Sequence, residues 1–143
     1  MSDPGIETLQ LIVQILGFGS AFYAVSRAVR ELRAATNDRL TTQSFEVIRF
    51  LAKHPDFYDL FYRKKQPTAE QANNPDLLYC AEMLANFMEH VAAQIPNTPP
   101  TTRKVWRLFI REAYDSSPIL QQFLQNYKDW YSSGLFKIVE SSA

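Results

Sequence analysis

The sequence predicts an all-α protein: a long N-terminal helix, read as transmembrane, followed by a compact bundle of four to five helices. Three observations carry this. The 143 residues include only four glycines, too few for the tight turns of an all-β chain. Apolar residues recur at helical spacing between proline-marked breaks. Near the N-terminus, residues 8–26 form a stretch of nineteen without a charge. Hydrophobic residues at 46% and aromatics at 13% exclude wholesale disorder. Fifteen Lys+Arg balance fifteen Asp+Glu, which removes the electrostatic case for a general nucleic-acid binder. A single cysteine, Cys80, cannot close an internal disulfide, so no oxidising compartment is implied.

The uncharged stretch comes first. As a helix it measures about 28 Å, close to the roughly 30 Å of a bilayer's hydrocarbon core. Nine of its nineteen residues are Leu, Ile, Val or Phe. They contribute about −3 to −5 kcal/mol to insertion, against two glutamines, a threonine and two serines. Asp3 and Glu7 precede it; Arg27, Arg30, Arg33 and Arg39 follow, against Glu31 and Asp38. The positive-inside bias places the N-terminus outside and the remainder in the cytoplasm. No basic start or small-residue cleavage site marks a cleaved signal peptide. The chain divides at 36, into a membrane helix with its basic flank (1–36) and a cytoplasmic helical domain (37–143). The alternative is a soluble adaptor or subunit whose first helix is buried against protein.

Gln10, Gln14, Gly17, Ala21, Ala24, Ala28, Glu31 and Ala35 fall on one line, in alternating steps of four and three. That is the 3.5-residue period of a left-handed helix–helix seam. Small residues let backbones approach closely in lipid, so the seam is expected to pack on another membrane protein or on its own copy. The bland alternative is that alanine is simply common.

Beyond the flank the helix continues or restarts, because no Gly or Pro occurs between Val25 and His54. Phe45, Ile48, Leu51 and Ala52 repeat at helical spacing, with Thr42 or Ser44 as a local cap. His54-Pro55 opens a short helix bearing Phe57 and Phe61 on one face and Tyr58 and Tyr62 beside them; Arg63, Lys64 and Lys65 follow. Residues 66–74 read as a loop. Asn74-Pro75 opens the most apolar helix, 76–94, which has little polar face and is therefore central. Pro96, Pro99 and Pro100 form a rigid linker. A helix over 102–114 follows, then one over 119–132 capped by Ser117-Pro118. Ser133-Gly134 stops it, and residues 135–139 dock back as an apolar tail.

Few residues suggest chemistry. Glu82, Asn86 and Glu89 share one face of the central helix and read as a buried polar stripe pairing with an arginine or a tyrosine hydroxyl, since a lone buried carboxylate is costly. Carboxylates in a bundle core can hold metal, but Glu89 and His90 are neighbours pointing about 100° apart, and His54 is the only other histidine. No metal and no cofactor is expected. Cys80 lies in an apolar run, as a small buried hydrophobe does. No nucleophile elbow, phosphate loop or dinucleotide fingerprint occurs, so no enzyme is expected. Tyr58, Tyr62, Arg63, Lys64 and Lys65 suit a lipid surface. They suit single-stranded nucleic acid poorly, because Asp56 and Asp59 dilute the charge. In the bland reading Phe57 and Phe61 are core and the tyrosines its rim.

The order His54-Pro55-Asp56-Phe57-Tyr58-Asp59-Leu60-Phe61-Tyr62, Ala81-Glu82-Met83-Leu84-Ala85-Asn86-Phe87, Trp106, Ser117-Pro118-Ile119-Leu120 and Trp130-Tyr131 resembles a loose group of uncharacterised bacterial proteins, cyanobacterial members included. The resemblance implies one N-terminal membrane helix ahead of a small helical domain of unknown function. It covers most of the chain, through caps and aromatic core positions, and brings no catalytic or binding residue. Together these readings favour a non-enzymatic, membrane-anchored interaction module whose partners are the bilayer and a membrane protein or second copy.

Overall fold

A computed structural model of the chain describes residues 4–141, with side chains from Thr8 onward. Among the described residues the elements are helices: α1 (Pro4–Ala52), α2 (Pro55–Tyr62), α3 (Ala69–Ala72), α4 (Pro75–Gln94), α5 (Pro100–Asp115), α6 (Pro118–Asn126) and α7 (Ser133–Val139), with 3-10 turns at Ile95–Asn97 and Lys128–Trp130. The protein is all-α, a long N-terminal helix followed by shorter helices packed together.

Local chemistry explains where most helices start. Pro55, Pro75, Pro100 and Pro118 each occupy a first helical position, where the missing N–H costs nothing and φ is already helical. Asn74 accepts from the amides of Asp76 and Leu77, and Ser117 from that of Leu120, so orphan donors are satisfied. His54 precedes α2 as expected but supplies no side-chain bond.

Three expectations are corrected. Residues 66–74 contain α3, started by a reciprocal capping box between Thr68 and Gln71; the T-x-x-Q pattern was in the sequence. The helix expected over 119–132 stops at Asn126, because a 3-10 turn intervenes and Ser132 caps a separate α7. Gly134 lies inside α7 and does not end a helix.

α1 continues and does not restart. Its 49 residues make a rod of about 73 Å, and it passes position 36 without a break. Thr42 and Ser44, expected as caps, bond back to the carbonyls of Asp38 and Thr41 at 3.0 and 2.7 Å, as helix-interior hydroxyls do. The stripe that α1 buries is Leu40, Val47 and Leu51. Phe45 and Ile48 stay 60% and 49% exposed. Phe45 sits about 200° round the helix from Val47, on the side no other helix covers.

α4 is the central element. It packs on α1, α3, α5, α6 and α7, and buries Leu77, Cys80, Ala81, Leu84, Ala85, Phe87, Met88 and Val91. It runs antiparallel to α1: the Tyr79 ring meets Phe50 at 6.0 Å, while His90 and Gln94 line a cavity with Leu32 and Leu40. α5 turns back parallel to α1. Near its start Trp106 Nε1 donates to Asn37 Oδ1 at 3.0 Å, and at its end the Ser116 carbonyl accepts from the Lys64 amide at 2.9 Å. The bundle therefore has one end beside the apolar half of α1, at the α4–α5 turn, and an opposite end that carries α2.

Candidate membrane helix and neighbouring polar groups

Among the described residues nothing covers the apolar half of α1. Leu9, Leu11, Ile12 and Val13 point to successive azimuths and all are exposed; Phe18 and Phe22 are 78% and 76% exposed. Among the described residues α1 is the helix long and apolar enough to cross a membrane, and none of its most apolar window is buried. A signal sequence or a helix covered by another protein passes the same test of length and composition. Gln10, Gln14, Gly17, Ala21, Ala24, Ala28, Glu31 and Ala35 are all exposed along one side. A side chain added at Gly17 would meet nothing within 4 Å. Glu31 is engaged by Arg27 Nε at 2.8 Å. Of the acidic flank, Asp3 and the side chain of Glu7 lie outside the described residues.

The aromatic–basic segment sits at the far end of the rod. Phe61 is buried and Phe57 half-buried, while Tyr58 is exposed and Tyr62 half-buried. Burial, and secondarily Tyr58, raises the Tyr62 phenol above its ordinary value. With Ile48, Leu51 and Ala52 the two tyrosines line a cleft of about 220 Å³. Arg63 pairs with Asp59 at 3.2 Å and lies 5.5 Å over the Tyr58 ring. Lys64 turns the chain at φ 55°, and Lys65 is exposed. Along α1, Ile48 is about 32 Å beyond Arg27. Even at a tilt of about 40° that leaves roughly 25 Å, about three Debye lengths at physiological salt. Tyr58, Tyr62, Arg63, Lys64 and Lys65, expected at a lipid surface, therefore sit at the end of the rod away from residues 8–26.

The polar stripe of α4 is also corrected. Glu82 and Asn86 are exposed and Glu89 is half-buried, because the α6–α7 connection covers only the edge of that face. The stripe fastens this connection: Tyr131 OH donates to Asn86 Oδ1, and the Ser132 amide donates to Glu89 Oε2, each at 3.2 Å. Burial, then the Glu82 and Glu89 carboxylates, pushes the Tyr131 phenol up to about 12. Cys80 is fully buried. Burial and Asp76 push its thiol up to about 11 against a weaker backbone hydrogen bond, which disfavours the nucleophilic thiolate.

One pair escaped the sequence reading. Gln43 Oε1 and His90 Nε2 are buried without a hydrogen-bond partner, and both line an open cleft of about 470 Å³ between α1 and α4 with Phe50 and Phe87. Nothing local announces a pair 47 positions apart in the sequence. Among the described residues no three His, Cys, Asp or Glu side chains gather as a metal-holding group. Comparison with protein-family models, curated proteins and solved structures finds no match to the chain.

Proposed function

We infer that the chain is a non-enzymatic, single-pass, membrane-anchored interaction module that scaffolds or modifies a membrane complex, as its resemblance to the bacterial group also suggests. α1 crosses the bilayer at residues 8–26, with the N-terminus outside and the bundle in the cytoplasm. The single observation behind this reading is the apolar surface all round the first half of α1, left uncovered by the rest of the chain. Such a surface in water forfeits roughly 25 cal/mol for each Å², and a patch of this size marks a membrane or a partner. Arg27, Arg30, Arg33 and Arg39 on the bundle side supply the orientation. The line from Gln10 to Ala35 is the face offered to a membrane protein or to a second copy.

A second reading, a soluble adaptor whose α1 is covered by protein, draws on Gln10 and Gln14, which line a shallow cleft with Leu9 and Val13 and oppose insertion. Alkaline carbonate washing of a native membrane fraction separates the two. The full chain is expected to stay in the pellet. Leu16→Arg, at a cost of about 3 kcal/mol mid-membrane, is expected to shift most of it to the supernatant. Release of the unaltered protein overturns the anchored reading in favour of the adaptor.

A further inference from the structure

We propose that the bundle end beside the span, formed by the α4–α5 turn and the first turns of α5, rests on anionic lipid headgroups through Arg103, Lys104 and Arg107, together with Arg30 and Arg33 of α1. The proposal rests on the spanning reading of α1 and moves the lipid-facing surface to the opposite end from the aromatic–basic segment. Helix direction carries it. Gln94, the last residue of α4, lines one cavity with Leu32, and Leu32 is only about 8 Å along α1 from Arg27. The polar headgroup layer is itself about 5–8 Å deep on each side of the core, so the turn at Ile95–Asn97 lies within about a Debye length of it. Trp106 is held at the height of Asn37, and Arg103 and Lys104 lie up to a turn of α5 nearer the bilayer.

The charges at this end are mostly of one sign. Arg30 is exposed and Arg33 half-buried on α1; Lys104 and Arg107 are exposed on α5. Lys137 of α7 joins Arg107 around a cleft at Pro96. Arg103 donates to the carbonyls of Pro96 at 2.8 Å and Thr98 at 3.3 Å, which fixes the turn and keeps a guanidinium at its tip. Of the nearby acids, Glu31 is taken by Arg27; Asp38 remains, as does Glu140, which ends α7 beside Ser141 of the Pro96 cleft. The acids of α5, Glu112 and Asp115, fall in its last turn, toward the opposite end. This end of the bundle therefore carries a local excess of cations, placed where an anionic leaflet attracts them within about one Debye length.

The test uses the full chain in lipid nanodiscs and reads amine acetylation rates by mass spectrometry. An anionic surface at about −30 mV concentrates protons about threefold and lowers the reactive, deprotonated amine by that factor. Lys104 is therefore expected to react about threefold more slowly in phosphatidylserine-containing discs than in phosphatidylcholine discs, and about 1 M salt should erase the difference. Lys64 and Lys65 should react alike in both. Equal Lys104 rates in the two lipids, or protection at Lys64 and Lys65 instead, overturns the proposal. Protein that fails to enter discs and is released by carbonate refutes the spanning reading itself, a different result.

Discussion

Ser117→Ala is the most informative single substitution in the bundle, because one hydroxyl serves two helices. Ser117 is fully buried. Its Oγ accepts from the Leu120 amide at 3.2 Å, capping α6, and donates to the Leu60 carbonyl at 3.1 Å. That carbonyl belongs to the last turn of α2, whose acceptors have no intrahelical donor. The Lys64 amide, which would continue the ladder, is diverted to Ser116. Alanine removes the cap, at about 1 kcal/mol, and strands a buried carbonyl, at about 1–3 kcal/mol. The expected total is about 2–4 kcal/mol. Thr68→Ala is the internal control: it removes a capping hydroxyl at an exposed site and is expected to cost about 1 kcal/mol or less. Urea unfolding of the full chain in a mild detergent, followed by the fluorescence of Trp106 and Trp130, measures both. A Ser117→Ala cost no larger than that of Thr68→Ala would refute the stranded-carbonyl argument.

Two further outcomes are expected. Leu84→Ala, in the fully buried face of α4, should cost about 2–5 kcal/mol, whereas Phe45→Ala, at a 60% exposed side chain, should stay within about 0.5 kcal/mol; a comparable loss at Phe45 in the same unfolding assay means that side chain is packed. Tyr131 and Cys80 both have folded pKa values raised above the ordinary 10.0 and 9.0, to about 12 and about 11. Folding favours their neutral forms, so this contribution is complete below the unfolded values and is lost as pH climbs from about 9 toward 12. Urea midpoints should fall across that window, and Tyr131→Phe should flatten the fall; an unchanged profile in the variant removes Tyr131 from the account.

Helix starts, the centrality of α4 and the apolar reach of α1 were legible in the sequence, because each follows from chemistry within a few residues. A proline after Asn74 or Ser117 sets φ and leaves a side-chain oxygen over orphan amides. A helix with so little polar face must be covered over most of its surface. The missing Gly and Pro between Val25 and His54 left the rod free to continue or to restart, and the structure shows one unbroken helix. Tertiary contacts alone decided which faces and which ends matter. Phe45 and Leu51 look equivalent in periodicity, yet only Leu51 meets the bundle. Glu82, Asn86 and Glu89 form one stripe in any helix drawing, and their exposure depends on how little the Tyr131–Ser132 turn covers. The bond from Trp106 to Asn37 joins residues 69 positions apart and sets which end of the bundle lies beside the apolar half of α1. Capping and backbone preference act over about one helical turn, whereas burial and orientation belong to neighbours far apart in the chain, and no local pattern encodes them.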